Sequence, residues 1–297
     1  MLFKRHLMAV AIGVSLVLSN VSFASIKTID AQTQKSIKIA EGFYEDVLLY
    51  RNLNNFSRYI GDTYLQHAPA YGDGPAKLLS AVAGELTNDP GVKIEILRTI
   101  AEGDYVAIHS AWTTSSGETY VYVDVWRVAG GKLVEHWDHY QQAPEKSANL
   151  NTMFEGPNAD IYSKQDTEQN TQRALAILAT FNNPSDTSAI KKYVADEYIQ
   201  HNPYVADGAG PLVGYLSELA KNKVHLKTDI AKTIAMGDMV LIHSRQTNLD
   251  VKGDLGTGYM DIFRFNDAGK IVEHWDIEEK VTGESSNKND IFGYSKS

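Results

Sequence analysis

An internal duplication constrains the fold of this 297-residue chain more than any other feature of its sequence. Three blocks recur in the same order: YLQHAP (64–69) as YIQHNP (198–203), IAEGDYVAIHS (100–110) as IAMGDMVLIHS (234–244), and GKLVEHWD (131–138) as GKIVEHWD (269–276). The offset is 134 residues for the first two blocks and 138 for the third, so the insertions lie between blocks, where loops tolerate them. A repeat of this length predicts two similar domains and not a solenoid of short units.

The duplication predicts a domain over residues 25–143 and a second domain over 170–283. The intervening segment, 144–169, is rich in Asn, Ser, Lys, Glu and Asp and has Gly156-Pro157 near its middle, which is typical of a linker. The residues after Gly283 are polar, and we expect 284–297 to form a loosely held tail.

The first 24 residues have the three-part layout of a secretory signal peptide. Lys4 and Arg5 precede an uncharged apolar run of 11 residues over 8–18, and Ser22-Phe23-Ala24 supplies small residues at a cleavage site after Ala24. The apolar run is short for a hydrocarbon layer of ~30 Å, although an uncleaved N-terminal anchor remains the alternative. We therefore expect a periplasmic or secreted protein with no membrane span after cleavage.

Composition excludes several classes of function. The chain carries 28 Lys and Arg against 37 Asp and Glu, for a net charge of −9, and it has no basic tract. Nucleic-acid binding requires clustered positive charge, so we expect no nucleic-acid partner. The chain has no Cys, which excludes disulfides, thiol catalysis, iron–sulfur clusters and Cys-type zinc sites.

Hydrophobic periodicity predicts the same order of elements in each half. Apolar residues at helical spacing predict three helices in the first half, over 37–48, over 56–67 and from Gly74-Pro75 onward. Alternating segments joined by Gly-containing turns predict four strands over 92–99, 105–112, 119–128 and 132–141, and the second half repeats this order with helices over 171–181, 189–198 and 211–219. The fold class is α+β: two tandem cone-shaped domains, each with about three helices packed on a curved, antiparallel-rich sheet around an internal pocket.

The repeated phrases YIQHNP, EGD-V-IHS, VD-(F/W)R and GKIVEHWD, in this order, resemble the SnoaL-like family of the NTF2-like superfamily. The resemblance covers nearly all of both halves and implies a tandem pair of such domains. The superfamily includes cyclases, isomerases, hydrolases, dehydratases and non-catalytic binding domains, so the fold does not fix the function. Characterised SnoaL-type members are polyketide cyclases, and the resemblance implies an intramolecular aldol condensation with an Asp as acid and base, without a metal or cofactor.

The last strand of each half carries the candidate catalytic residues. Side chains alternate along a strand, so His136 and Asp138 share one face, as do His274 and Asp276. The resemblance places the family's catalytic Asp at Asp138 and Asp276, with the histidines beside them. A buried carboxyl whose pKa is raised towards neutrality can take a proton α to a carbonyl and return it. The alternative is that these carboxylates are structural and are saturated by neighbouring groups.

Ten further residues are candidate ligand-binding groups, because they lie in the same motifs or on the same predicted faces. They are His67, His109, Tyr122, Asp124, Trp126, His201, Asn202, His243, Tyr259 and Asp261. We expect His67 and His201 at the pocket mouth, and Asn202, which replaces Ala68 of the first half, to orient a carbonyl. His109 and His243 lie within apolar strands, where a satisfied core histidine is the alternative.

A metal site is a further alternative, built from His67, His109, His136 and Asp138. The chain has no HExxH or other tight ligand motif, so we expect no metal and no cofactor. The second half has Met239 where the first has Tyr105 and Leu241 where it has Ala107, and we expect the two pockets to differ in shape.

Two functions remain open from the sequence. The first is an exported lyase or isomerase of the aldol-condensation type, with a hydrophobic pocket in each half that takes a small hydrophobic or carbonyl-containing ligand. The second is a non-catalytic periplasmic module that binds a small molecule or a partner. NTF2-like domains commonly pair sheet to sheet, so the resemblance implies that the two halves pair within one chain as a pseudo-dimer, which predicts a monomer.

Overall fold

The computed structural model describes residues 29–293, and the predicted signal peptide lies outside them. In the first domain the elements are α1 (Ala31–Phe43), α2 (Phe56–Tyr59), β1 (Ile60–Gln66), α3 (Pro75–Asn88), β2 (Lys93–Glu102), β3 (Tyr105–Thr113), β4 (Thr119–Ala129) and β5 (Lys132–Gln142). In the second they are α4 (Thr167–Ala179), α5 (Ser188–Tyr193), β6 (Val194–Gln200), α6 (Ala209–Lys221), β7 (Leu226–Met236), β8 (Met239–Asn248), β9 (Thr257–Phe265) and β10 (Ile271–Lys280).

Each domain contains one five-stranded sheet. The strand order is β1-β5-β4-β3-β2 in the first domain and β6-β10-β9-β8-β7 in the second. The first strand runs parallel to the last strand of its domain, and the other pairs are antiparallel. This arrangement confirms the predicted α+β class and the tandem duplication.

The prediction of the second helix was wrong for residues 60–67 of the first half and for residues 194–198 of the second half. Helix α2 ends at Tyr59, and the chain continues as strand β1; in the second domain α5 ends at Tyr193 and β6 follows. Residues 60–66 have apolar positions that also fit helical spacing, but they include Gly61, which weakens a helix, and Tyr64, which favours a strand. Pairing with β5 then decides the conformation, and it buries Tyr64 and Gln66 while Leu65 points outward.

Helix α1 has a side-chain cap at its start and a π-helical extension at its end. Asp30 caps α1 by accepting hydrogen bonds from the backbone amides of Gln32 and Thr33, at 2.8 and 3.0 Å. A π-helical turn over Tyr44–Leu49 extends α1 and buries Tyr44 and Val47. The buried residues of α1 and of this turn, including Ala40, Phe43 and Tyr44, pack in the core of the first domain against its sheet.

The two sheets pack against each other within the chain. The larger apolar cluster combines the first domain with residues from the outer face of the second sheet, including Met239, Leu241, Trp275 and Ile277. The interface is pseudo-symmetric, because the Arg98 guanidinium lies 4.1 Å from the Trp275 ring and the Lys232 ammonium lies 3.7 Å from the Trp137 ring. The predicted pairing of the domains is present in this interface.

Two matching segments cross from each domain onto the other. We name residues 147–155 (SANLNTMFE) the linker strap and residues 285–292 (SSNKNDIF) the tail strap. The expectation of a loose tail was wrong for 285–292, since Asn287 and Phe292 are buried and the backbone amide of Ser286 donates to the Pro69 carbonyl at 2.7 Å.

Between residues 29 and 293 no helix is long and apolar enough to cross a membrane.

Candidate active site

The second domain encloses a cavity of about 280 Å³ between its sheet and helices α4 and α6. Strand β9 supplies Asp261 and β10 supplies His274 and Asp276, which face the cavity because their side chains lie on the inner face of the sheet. An apolar cavity of ~150 Å³ holds a benzene-sized molecule, so this one has room for a larger organic ligand. The Phe263 ring stacks on His274 with ring centroids 4.7 Å apart.

His274 is held between two oxygen atoms. Its Nε2 lies 3.0 Å from Asp261 Oδ1, and its Nδ1 lies 3.0 Å from Gln200 Oε1. The Gln200 oxygen also accepts the Asn202 backbone N–H at 2.9 Å, which fixes the orientation of that amide. Burial lowers the pKa of His274, but the hydrogen bond with Asp261 and the charges of Asp276 and Asp261 outweigh it, and the pKa is raised. The ring is therefore set up to donate from both nitrogens.

Asp276 is the candidate proton acceptor of this site. Burial raises the pKa of Asp276, and the charge of Asp261 adds to the effect, while the nearby His274 opposes it. Asn202 Nδ2 donates to Asp276 Oδ2 at 2.8 Å, which also moderates the rise. A second carboxyl, Glu278, lies two residues farther along the strand, and burial also raises its pKa.

The first domain repeats the same carboxylate–imidazole–carboxylate arrangement. His136 Nε2 lies 2.8 Å from Asp124 Oδ1 and Nδ1 lies 3.1 Å from Gln66 Oε1. Burial raises the pKa of Asp138 to about 7, with His136 opposing and Asp124 adding to the rise. Ala68 stands where Asn202 stands in the second domain, so no side-chain amide donates from that position.

The two cavities differ in volume, about 50 Å³ in the first domain against 280 Å³ in the second. The larger side chains of the first domain explain the difference. The first domain has Tyr44, Tyr71, Trp112 and Trp126 where the second has Leu178, Val205, Gln246 and Phe263. The Tyr44 hydroxyl also donates to Asp124 Oδ2 at 2.5 Å and fills the space beside that carboxylate. A cavity of about 50 Å³ has room for only one or two water molecules.

Met239 and Leu241, which led us to expect different pockets, do not line either cavity. They pack in the apolar interface between the domains, on the outer face of the second sheet. The difference in the cavities comes from other positions, in the π-helical turn after α1 and in α4, on the loop after β1 or β6, and on the inner face of strands β3, β4, β8 and β9.

The structure brings six predicted binding residues together on the inner faces of the two sheets, besides the four predicted catalytic residues. Each domain contributes an aspartate and aromatic residues from its β4 or β9 strand, and the second adds an amide: Tyr122, Asp124 and Trp126 with His136 and Asp138, and Asn202, Tyr259 and Asp261 with His274 and Asp276. Phe263, the equivalent of Trp126, completes the second set.

Four predicted histidines lie on the outer faces and not in the cavities. His67 stacks on Trp137 with centroids 4.6 Å apart and contacts Glu135 Oε1 at 2.9 Å, and His201 repeats this arrangement with Trp275 and Glu273. The backbone turn after β1 and β6 directs these rings away from the pocket mouth, because the preceding residues form strands and not helices.

The mid-strand histidines lie at the domain interface. His109 Nδ1 accepts from Arg98 Nη1 at 2.5 Å, and His243 Nε2 lies 3.1 Å from His139 Nε2. Burial holds the pKa of His109 and of His243 well below the usual value, with Arg98 and His139 respectively as the next contributors. Both rings are therefore neutral packing groups of the interface.

Among the lining residues of the second cavity that sequence reasoning missed, three can take part in its chemistry: Tyr198, Gln200 and Glu278. Tyr198 and Gln200 belong to the repeated Y-x-Q-H phrase, but that segment was predicted to be helical, and only its histidine was singled out. With the segment as a strand, alternation places Tyr198 and Gln200 on the inner face and His201 beyond the strand's end. Glu278 has no counterpart in the repeat, because the first domain has Tyr140 there.

The same two triads are the candidate metal-ligand groups among residues 29–293. One ligand atom from each of Asp124, His136 and Asp138 lies within 4.8 Å of the others, as do those of Asp261, His274 and Asp276. The metal set considered from the sequence is not assembled, since His67 and His109 lie on the outer face of the sheet and His136 and Asp138 on the inner face.

Comparison with known proteins gives matches to each half of the chain. The sequence profile described as "SnoaL-like domain" matches residues 40–136 and 174–274. The chain is similar to the probable cyclase otaY of Aspergillus carbonarius, with 30% identity over 115 residues that cover 37% of this chain and 89% of that protein. It is also similar to the probable cyclase otaY of Aspergillus niger, with 28% identity over 116 residues that cover 38% and 93%. A solved NTF2-like protein of unknown function from Mesorhizobium loti is 19% identical, covers 38% of this chain and 95% of its own, and has a TM-score of 0.35.

Proposed function

The chain belongs to the SnoaL-like domain family, in two tandem copies, and we propose that its second domain is a cofactor-independent acid–base lyase or isomerase of the aldol-condensation type. The observation that carries the proposal is Asp276, a buried carboxyl with a raised pKa that faces a cavity of about 280 Å³. The similarity to proteins described as cyclases supports the same reaction class.

In this proposal Asp276 removes a proton from the carbon next to a carbonyl. The Asp276 carboxyl lines the cavity, and Asn202 holds its Oδ2 by donating a hydrogen bond to it. The resulting enolate attacks a second carbonyl, which forms the new carbon–carbon bond, and the proton on Asp276 passes to the alkoxide. No electron is gained or lost, and the carboxylate is regenerated.

Tyr198 is the proposed donor to the developing enolate oxygen. Tyr198 lines the cavity, and its hydroxyl oxygen accepts from Gln200 Nε2 at 3.2 Å, which leaves the hydroxyl proton for donation to a ligand. Burial, together with the charges of Asp276 and Asp261, holds the pKa of Tyr198 well above its usual range, so the phenol stays protonated. A donor placed where charge develops stabilises the transition state.

The lining of the second cavity favours a neutral or cationic carbonyl compound. Three carboxyls, of Asp261, Asp276 and Glu278, face it against one imidazole, that of His274, and its lining contains no Lys or Arg. An anionic ligand would meet like charges at low dielectric, which is unfavourable. Aromatic side chains, including Phe181, Tyr215 and Tyr259, give the cavity a mainly apolar wall that suits a planar ligand.

Exchange of α-protons for deuterium tests the proposal without knowledge of the natural substrate. The protein is incubated in D₂O with 4-methylacetophenone or a related neutral ketone, and loss of the methyl-ketone proton signal is followed by ¹H NMR. We expect exchange above the buffer rate. Asp276→Asn should lower the rate by about a hundredfold or more, since a positioned base contributes roughly 10²–10⁴.

Asp138→Asn is the matched control, because Asp138 is the equivalent residue in the domain with the smaller cavity. It should leave the exchange rate within about twofold of the wild-type value. Exchange by the Asp276→Asn variant at the wild-type rate would contradict the proposal. Saturable binding of the ketone without any exchange would favour the second candidate function, a non-catalytic binding module.

We also propose that the protein acts in the periplasm or outside the cell. The support is the layout of residues 1–24, with Lys4 and Arg5 before an apolar run and Ala24 at a cleavage position. N-terminal sequencing of protein recovered from the periplasmic fraction should begin at Ser25. Recovery of the full chain from the cytoplasm would contradict this location.

A further inference from the structure

The linker strap contacts the segment 200–207, which ends β6 and carries two residues of the second site, Gln200 and Asn202. Asn149 Nδ2 donates to the backbone carbonyls of Asn202 and Val205, at 2.7 and 2.8 Å. Asn151 Nδ2 donates to the Gln200 carbonyl and to Asp207 Oδ1, both at 3.0 Å. Two side-chain amides that follow the first domain's last strand therefore hold residues 200–207 of the second domain.

That loop in turn orients the proposed acid–base groups. Gln200 Oε1 accepts from His274 Nδ1 at 3.0 Å, and Asn202 Nδ2 donates to Asp276 Oδ2 at 2.8 Å. The carbonyls of Gln200 and Asn202 are the acceptors that Asn151 and Asn149 hold from outside. Gln200 and Asn202 thus each contact the linker strap through the backbone carbonyl and the site through the side chain.

We propose that Asn149 and Asn151 are positioning residues of the second domain's active site, supplied across the domain boundary by the linker strap. The inference rests on the proposed function of that site and extends it. A third hydrogen bond fixes the same segment, because the Thr152 carbonyl accepts from His201 Nδ1 at 2.7 Å. His201 lies between Gln200 and Asn202 in the chain. The second site is complete only with the segment that follows the first domain.

The tail strap provides a control within the same chain. Asn287 Nδ2 donates to the carbonyls of Ala68 and Tyr71, both at 2.8 Å, and Asn289 Nδ2 donates to the Gln66 carbonyl at 2.8 Å. The His67 Nδ1 donates to the Asp290 carbonyl at 2.5 Å, as His201 does to Thr152. These hydrogen bonds are equivalent to those of the linker strap, but they hold residues 66–71 of the first domain, whose cavity is only about 50 Å³.

The test compares two double variants of the full chain: Asn149→Ala with Asn151→Ala, and Asn287→Ala with Asn289→Ala. Each removes an equivalent set of side-chain hydrogen bonds, so we expect similar losses in unfolding free energy. Only the linker-strap variant should change the titration of the His274 ring, followed by ¹⁵N NMR. It should also lower ketone α-proton exchange by about tenfold to a hundredfold, since small misplacements of catalytic groups cost rates of this order.

The readouts separate this inference from the proposed function. The His274 titration does not depend on turnover, so a shift confined to the linker-strap variant supports positioning even if wild-type protein exchanges no ketone protons. An unchanged His274 titration in a folded linker-strap variant, or the same shift in the tail-strap variant, would overturn the inference. If the double variant does not fold, the single substitution Asn151→Ser is compared with Asn289→Ser by the same criteria.

Discussion

The two copies of the site keep the same three ionisable residues but differ in one amide. Asp276 accepts a hydrogen bond from Asn202, whereas Ala68 offers Asp138 nothing from that position. Burial raises the pKa of both carboxyls, and the amide counteracts part of the rise only in the second domain. Strand alternation alone predicts that His274 and Asp276 share one face, but it does not predict that His274 makes its hydrogen bond with Asp261 of the neighbouring strand.

Asn202→Ala should raise the pKa of Asp276 further, since the substitution removes a hydrogen bond that favours the charged carboxylate. The measurement is a ¹³C NMR titration of the Asp side-chain carboxyls. Asp138 lies in the other domain and serves as an internal control whose titration should not change. A fall in the pKa of Asp276, or an equal change at Asp138, would contradict the role assigned to Asn202.

Asp138→Asn should stabilise the protein at neutral pH and have little effect in acid. The native carboxyl has a pKa of about 7 against an ordinary 3.8, so between these values the native state holds a proton that the unfolded state has released. Stability therefore falls as pH rises from about 4 to 7, by on the order of 2–4 kcal/mol, and the neutral amide avoids this loss. Urea unfolding at pH 4.5 and pH 8 measures it, and an equal difference at both pH values would contradict the raised pKa.

At the level of elements, strands β1 and β6 are the segments whose conformation could not be predicted from the sequence. The residues of β1 match a helical pattern as well as a strand pattern, and the parallel pairing with β5 that decides between them joins residues some 70 positions apart. Tyr198 and Gln200 were missed for that reason. The histidines after these strands were assigned to the pocket mouth, but the strands direct them onto Trp137 and Trp275 of the outer faces.

At the level of elements, the small cavity of the first domain follows from side chains of β3, β4, the π-helical turn after α1 and the loop after β1. Trp112 lies on its wall where the second domain has Gln246, and the Trp112 and Tyr122 rings pack with centroids 5.4 Å apart. Trp112→Gln should enlarge this cavity and cost about 2–4 kcal/mol of stability, as expected for truncation of a packed aromatic side chain.

The enlarged cavity of Trp112→Gln should also admit a second equivalent of 4-methylacetophenone, which isothermal titration calorimetry would detect. Tyr50→Val is the control, because Tyr50 is 73% exposed and lines neither cavity. An unchanged stoichiometry together with unchanged stability would show that Trp112 is not what fills the first pocket.

At the scale of the whole molecule, the duplication gives each domain the other as its sheet-packing partner. Apolar residues of the second sheet's outer face pack into the core cluster of the first domain, and the two straps cross in opposite directions. The resemblance of both halves to NTF2-like domains, which commonly pair sheet to sheet, predicted this pairing. The sequence did not predict the two straps. Residues 147–154 and 285–292 are identical at only four of eight positions, and their polar composition is typical of a linker or a tail.

We propose that this internal pairing leaves the protein a monomer. Light scattering coupled to size-exclusion chromatography should give a mass near or slightly below the 32.9 kDa of the full chain, at both low and high protein concentration. A mass near twice that value would show that a further surface associates, and it would contradict the monomer.

The most direct test of the central claim is the titration of the Asp276 carboxyl by ¹³C NMR with and without 4-methylacetophenone. The account predicts that Asp276 titrates above the ordinary ~3.9 of an aspartate and that the ketone shifts its titration, because the ligand occupies the cavity beside it. Asp138 should titrate high as well but should not respond to the ketone. A normal or low pKa for Asp276, or a ketone response at Asp138 alone, would contradict the assignment of the second domain as the site of acid–base chemistry.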